Sequence, residues 1–547
     1  MKHYLPRVAC FLMLTGVAFF SAPACGQPVA RQPNQTEPAE PHWHLFLDNH
    51  AVTRSTGFQR ILHRPQPRGV VLKAEKPWET FGVAPFYVGR RQDGSYECYY
   101  QTLWHEPGMR VASRIAYAVS DDAIVWKKPV LNLVEGPTQV GNQRRLPLGV
   151  SLGSGDANDV YLKTNNLVPC GHPRNLFLHG NVRDPEKRYA LGLNYGIPQR
   201  IAFCKELPDF INDPQWEEKL VDSGGFIHSH YTTLEYWDDL HQEWVVMRQA
   251  PNHPPTRVSG RYASPDMKSW KLDNYLYPDA DDSTDPRYFH ECYGMMGVHL
   301  EGMVFGFAYW FIGDETHPTG NDKGLIGSDT SKGTMEVRIV TSRDGGKTWD
   351  RTVSREPWIP HGVLQNSYDR LVRLDCPPLR MGDEDWFYAR VGDRDHASYL
   401  GYPRDQMVTF QGALYTQKHN RYVSLTAGNR PRILITEPLE VTGETLQLNV
   451  DASHGEVKVA VGTDRWMKHK QDAWPFEANL PHWMVEDRWG DTHLEKGFYF
   501  DDCDPVQVDS IECDVRFQEA SFKSLLGKTV RLYISVQDAD LYGFRFK

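Results

Sequence analysis

The sequence is poor in the features that mark most alternatives to an ordinary globular β protein. Positive charge is not in excess: 60 Lys and Arg stand against 70 Asp and Glu, a formal net charge of -10, with an isoelectric point near 6.1. That balance leaves no electrostatic footprint for nucleic acid or an anionic membrane, and a polyanion would need a local basic patch. Cysteine is sparse, with nine residues. Cys10 and Cys25 fall in the first segment, and the remaining Cys98, Cys170, Cys204, Cys292, Cys376, Cys503 and Cys513 form no Cys-x-x-Cys pair. This excludes a zinc ribbon and argues against a disulfide scaffold, with Cys503 and Cys513 the pair that spacing favours. Helical periodicity is almost absent. So is a Cys/Ser-x-Pro-x-Arg activation site, which speaks against a sulfatase.

The first residues supply the only long apolar run. "MKHYLPRVACFLMLTGVAFFSAPACGQ" places Lys2 and Arg7 ahead of an apolar stretch and Ala22-Pro23-Ala24 after it, the order of a secretory signal peptide over residues 1–26 and too short for a good membrane span. Cys25 directly after that triplet is also compatible with lipoprotein processing and a lipid anchor. Residues 27–42 are a Pro- and polar-rich linker without core-forming residues. The expectation is an exported bacterial chain, secreted or periplasmic, with no transmembrane segment; its oligomeric state stays open.

What the chain has in abundance is short alternating runs of Tyr, Phe, Trp, Val and Leu broken by polar turns. "APFYVGRRQDGSYECYYQTLW", "TTLEYWDDLHQEWVVMRQA" and "MMGVHLEGMVFGFAYWF" each read as two strands across a turn. Three of these units close alike, on "SDDAIVW", "SPDMKSW" and "SRDGGKTW"; only the last looks complete. Two more units, Asn175 to Tyr195 and Leu371 to Phe410, lack the ending. Five repeats of about four strands predict an all-β fold, a five-bladed β-propeller over residues 43–428 whose innermost strands line an axial channel. From residue 429 to 547 aliphatic and polar residues alternate with fewer aromatics, which predicts a β-sandwich accessory domain.

A leader, a five-bladed propeller and a C-terminal sandwich together resemble the invertase and arabinanase superfamily, glycoside hydrolase families 32 and 43 among them. The "SRDGGKTW" stretch also resembles the Asp-box turn of sialidases and other propellers, where the Asp ties the turn and the Trp packs between strands. The family 32 pattern has three acidic motifs in order. Here they are matched by Asp48 in "WHLFLDNH", Asp184 in Arg183-Asp184-Pro185, and Glu291 in "HECYG". The match departs in two places: Asn49 replaces the family's Pro, and the interval from Asp184 to Glu291 is about one blade too long, which puts Glu291 on the fourth blade. The opening "FLDNH…KAEKPWE" is similar to exported propeller proteins of polysaccharide-degrading bacteria.

The resemblance implies an exo-acting glycosidase on a plant or algal glycan, with Asp48, Asp184 and Glu291 as its acidic set. Glycosidic cleavage needs one carboxylic acid to protonate the leaving oxygen and a carboxylate to attack or to activate water; a third carboxylate can position sugar hydroxyls. Glu235 in "TTLEYW" and Glu79 in "KPWET" are alternative acid/base residues. Arg183, His290, Tyr293 and Trp310 are candidate substrate contacts, Arg257 and Arg287 possible partners of an anionic substituent, and Trp104 a further stacking platform. His228 and His230 in "GFIHSHY" share one strand face and suit sugar binding better than a metal. Each has a plainer alternative in turn-making or packing. No metal site and no organic cofactor are expected, although a structural cation in the channel is compatible with the fold. Two other functional classes remain open: a non-catalytic carbohydrate-binding propeller, and a sialidase-like hydrolase, which would need an Arg cluster and several complete Asp boxes.

Overall fold

The computed structural model describes residues 41–104, 112–137, 161–171, 173–177, 189–193, 200–219, 221–222, 232–250, 257–266, 269–282, 288–314, 333–365, 369–396, 409–463 and 494–547. These residues are nearly all β. Among them the longest α-helix is the single turn Leu207–Ile211, which Pro208 enters at its first positions.

Most strands between residues 82 and 418 form antiparallel meanders. The first runs Gly82–Arg90, Tyr96–Trp104, Ala112–Ser120, Leu167–Gly171. The second runs Pro173–Phe177, Tyr189–Leu193, Arg200–Cys204, Val221–Asp222. The third runs Thr232–Asp238, Glu243–Gln249, Ser259–Ser264, Lys271–Leu276. The fourth has Tyr288–Leu300, Met303–Asp314 and Gly333–Ser342, extended by a bridge from Thr341 to Asp350. The fifth begins with Leu371–Arg373, continues through Glu384–Gly392 and Phe410–Lys418, and takes its outer strand, Gln66–Leu72, from far upstream. Single parallel pairings, Met335 with Leu371 and Phe410 with Gly82, link the fourth, fifth and first meanders edge to edge.

Two further sheets follow, and they correct the expected boundary at residue 43. His44–Leu45 pairs with Ala539–Phe546, Val52–Arg54 with Arg432–Thr436, and Gln59–Leu62 with Val423–Ala427. The segment 43–62 therefore belongs with the C-terminal strands rather than with the first meander. Alternation predicts a strand but carries no information about a partner hundreds of residues away, so these three strands look in sequence like the start of the repeat array.

In a four-strand antiparallel meander the start of strand one, the end of strand two and the start of strand three share one end, termed upper here. The lower end holds the one-to-two and three-to-four turns. All three Ser-x-Asp motifs lie at lower ends and close alike. Ser120, Ser264 and Ser342 donate Oγ–H to Oδ1 of Asp122, Asp266 and Asp344 at 2.8, 3.0 and 2.8 Å. That same Oδ1 accepts a backbone N–H from Val125, Ser269 or Thr348, each at 2.8 Å. The two motifs that looked degraded thus share this core with the third, which closes one residue later and adds the Gly346 N–H to Ser342 Oγ at 2.7 Å. The fifth meander has no such turn for a topological reason, since its fourth strand arrives from residues 66–72 and no chain connects it to the third.

Arg261 binds the third meander to the fourth at this end. It is fully buried, donates to Asp238, Glu243 and Asp273 at 2.9, 2.8 and 2.6 Å, and reaches the Gly345 carbonyl at 2.8 Å. Gly345 has φ +68°, and a Cβ there would lie 1.9 Å from Asp238 Oδ2, so only glycine fits.

Candidate active site

The lower end is where the C-terminal sheets and the N-terminal segment attach. The Trp43 N–H donates to Glu301, in the first turn of the fourth meander, at 2.8 Å. Arg421, just past the fifth meander, donates to Asn449 Oδ1 at 2.9 Å. Asp48 follows His44–Leu45 in a turn and is gripped at both oxygens by Arg343 of the third Asp box, at 2.7 and 3.2 Å. Asp48 therefore lies on no strand of the five meanders and serves as a tie between two parts of the fold. This corrects its assignment to a first-blade catalytic strand.

Glu291 is at the opposite, upper end, near the start of the first strand of the fourth meander. It is completely buried. Its Oε1 accepts the backbone N–H of Arg257 at 2.9 Å and its Oε2 accepts Arg257 Nη1 at 2.5 Å. Both oxygens are in the acceptor role. Arg257 leads into the third strand of the third meander, and its guanidinium lies over the rings of Tyr293 and Phe311 at 4.9 and 5.7 Å. Glu291 and Phe311 are cross-strand partners, which places them on one face. Tyr293 Oη is 3.1 Å from Nε2 of His396, from the fifth meander. Beside His396, Arg370 pairs with Asp395, both half-exposed. Side chains of three meanders thus converge at one upper end.

The other face of the fourth meander carries a second charged group that sequence reasoning missed. Arg338 joins Glu336 at 2.8 Å to Asp282 at 3.1 Å, and Arg351 adds a 2.5 Å contact to Asp282. Burial pushes the Glu336 carboxyl up, but nearby His361 and the Arg338 guanidinium outweigh it and hold the group below its ordinary value. Glu336 and Arg338 lie two apart on one strand, so their shared face was readable from spacing alone; their meeting with Asp282 was not.

The remaining candidates divide. Trp310 is fully buried, with Arg338 and Arg351 at 4.9 and 5.0 Å from its ring and its Nε1–H donated to His290 Nδ1 at 3.0 Å. It is a packing residue, which corrects its assignment as a stacking platform. His290 is held below its ordinary value by burial first and then by Arg338. Glu79 is also corrected. Buried at the start of the first meander, it accepts from Tyr100 Oη at 2.8 Å, from Lys128 Nζ at 2.7 Å and from the N–H groups of Glu75 and Lys76. A carboxylate so fully bonded holds a turn. Glu235 lies on the first strand of the third meander, but its side chain is outside the described ones, as is that of Trp104. Asp184, Arg183, His228, His230 and Arg287 lie outside the described residues.

Asp238, His241 and Glu243 are the one group among the described residues with ligand atoms close enough for a metal. Arg261 Nη2 already sits between the two carboxylates, so a guanidinium supplies the positive charge there.

No protein-family profile matches the sequence, and no curated protein matches it. The chain is similar to several solved structures. One is described as a glycoside hydrolase, at 15% identity over 65% of this chain and 92% of that one, with a TM-score of 0.35. Another is a glycosyl hydrolase from Bacteroides ovatus, at 11% over 69% and 98%, TM-score 0.36. A third is a thermostable family-43 glycoside hydrolase, at 10% over 65% and 92%, TM-score 0.31. Their descriptions agree on glycoside hydrolysis; at these TM-scores the superposition does not fix the fold of this chain.

Proposed function

We propose that the chain is an exported glycoside hydrolase built as a five-bladed β-propeller carrying a two-sheet sandwich, with its sugar site at the upper ends of the inner strands. The observation that carries this reading is the buried Arg257–Glu291 pair under Tyr293, Phe311 and His396, at the end away from the attached sheets. With both oxygens accepting, Glu291 suits the attacking or charge-stabilising carboxylate rather than the proton donor. Glu235, on the first strand of the neighbouring blade, is the proposed acid/base, and Asp184 the proposed sugar-positioning residue. The substrate class is a plant or algal glycan attacked from its chain end.

A second reading has an observation of its own. The buried carboxylates Glu291, Glu336 and Asp282 beside the fourth blade are each paired with arginine, which also suits a site that binds sugar without cleaving it. Purified protein screened against aryl glycosides and plant and algal glycans separates the two. Hydrolysis lost in Glu291→Gln supports the enzyme, whereas retention of a glycan with no cleavage by the wild type supports the binding module.

A further inference from the structure

Cys503 and Cys513, the pair that spacing favours, are both free. A buried titratable cluster that the proposed site leaves unused lies at the lower end, around His419. His419 and Asn420 follow Phe410–Lys418 of the fifth meander and lead into the strand Val423–Ala427. His419 Nδ1 lies 2.9 and 3.0 Å from the two oxygens of the buried Asp385, on the neighbouring strand. Asn420 Nδ2 donates to Glu301 Oε1 at 2.7 Å and sits 3.1 Å from His419 Nε2. The other oxygen of Glu301 accepts the Trp43 N–H, and the His419 carbonyl accepts Asn449 Nδ2 at 2.9 Å. One imidazole thus bridges the fifth meander and the C-terminal sheets, and a single amide separates it from the fourth meander and the N-terminal segment. Glu301 holds φ +49° in its turn, a conformation that favours Gly or Asn, so its carboxylate is kept there at a backbone cost.

An amide nitrogen only donates, so His419 Nε2 is an acceptor here and the ring proton is on Nδ1, donated to Asp385. These bonds fit a neutral imidazole beside an ionised carboxylate. Burial first, and the Glu301 charge with it, push the Asp385 carboxyl up to about 7, against the pull of the half-exposed Arg380 at 3.7 Å and of the Asn420 N–H. The cluster therefore takes up a proton near neutral pH. Whether that proton enters on Asp385 or on the ring, one proton stays between Asp385 and Nδ1 and Nε2 carries the other, so Nε2 becomes a donor. The acceptor facing it is Glu301 Oε1 at 3.9 Å, the atom to which Asn420 donates. The other charged groups around the cluster have their own contacts. Lys418 and Arg421 turn to Asp509, Glu384 to Arg68, and Arg545 covers the Trp43 ring at 4.7 Å. Asp383 meets the His419 N–H through its carbonyl, and His42 packs against Gly302 beside Glu301. Tyr422 is kept neutral by burial and then by the Asp385 and Glu301 charges.

We propose that Asp385, His419 and Glu301 form a proton-operated clasp, in which uptake of one proton turns His419 Nε2 from the acceptor of Asn420 into a donor to Glu301 and ties the fifth meander directly to the fourth, beside the N-terminal segment. A direct bond from the ring to a carboxylate is charge-assisted and stronger than the amide link it replaces. The sign agrees. A carboxyl whose folded value is raised contributes most below the ordinary carboxylate range and loses that contribution as pH rises through about 7. The junction is tighter in mild acid than in mild alkali.

The test is amide hydrogen exchange by mass spectrometry on the full chain from pH 5 to 9, corrected for intrinsic rates. It follows the peptide containing Trp43 and the one spanning 419–427. Wild-type protection in both should fall by roughly threefold or more between pH 6 and 8. His419→Gln and Asp385→Asn should abolish this step, Glu301→Gln should move it to lower pH because the charge that favours the proton is gone, and Ser264→Ala, at another lower-end turn, should keep it. No step in the wild type, a step near pH 7 that survives His419→Gln or Glu301→Gln, or a step lost in Ser264→Ala overturns the proposal. If the His419 or Asp385 variant does not fold, Glu301→Gln, whose side chain is partly exposed, decides.

Discussion

The two ends of the meanders are built on different principles. At the lower end short turns repeat one hydrogen-bond pattern, polar groups are satisfied locally, and the flanking sheets attach through Glu301, Arg343 and Arg421. At the upper end, among the described residues, side chains from three meanders meet around buried aromatic rings. The lower end holds the architecture, so its changes should cost stability and spare activity. Both ends bury arginine–carboxylate pairs, Arg261 at the lower and Arg257 at the upper, but only the upper pair lies against the rings of Tyr293 and Phe311 with His396 of another meander beside them, a pattern more typical of sites than of scaffolds.

The sharpest way to expose that contrast is Arg261. Removing its guanidinium strands Asp238, Glu243 and Asp273 against each other, so Arg261→Met should cost about 3–5 kcal/mol in urea unfolding while leaving glycan turnover of the folded fraction unchanged. Gly345→Ala comes next, because it forces an unfavourable φ and a clash with Asp238; a loss of about 2–4 kcal/mol is expected, read from the thermal midpoint. If both variants unfold like the wild type, the lower end is not the scaffold described here.

Smaller effects test whether the three turns are truly alike. Ser120→Ala, Ser264→Ala and Ser342→Ala should each cost about 1 kcal/mol, and near-equality of the three is the informative result. A pH dependence should separate the ends as well. The Glu336 carboxyl is held below its ordinary value, so its contribution is complete above the unfolded carboxylate range and disappears as pH falls through the folded value. Glu336→Gln should therefore flatten the acid limb of the stability profile.

Much of the fold was legible because it is local. Strand alternation, hairpin turns and the Ser-x-Asp endings are short-range patterns, and the endings mark three of the meanders. What was not legible is pairing at long range. The strand Gln66–Leu72 carries no sign that it completes a sheet begun at Leu371, and His44–Leu45 none that it joins Ala539–Phe546. The error at Asp48 follows from that one fact: a motif in the right order was assumed to sit on the first blade. Glu291 lies on the long strand Tyr288–Leu300, whose alternation is legible in the sequence. Its partner Arg257 was visible as a charged residue near a strand start, but nothing in the sequence couples the two. The arginine environment of Trp310 was equally invisible, since a buried Trp and a sugar platform look the same in a string of letters.

On the proposed reading, chemistry belongs to the upper end and Asp48 is structural. The decisive measurement is kcat/KM for the wild type, Glu291→Gln and Asp48→Asn on a glycan that the wild type cleaves. Glu291→Gln should fall by about 1000-fold or more, and Asp48→Asn should stay within about twofold of wild type, its cost appearing as about 1 kcal/mol of stability instead. An inactive Asp48→Asn beside an active Glu291→Gln would overturn that assignment.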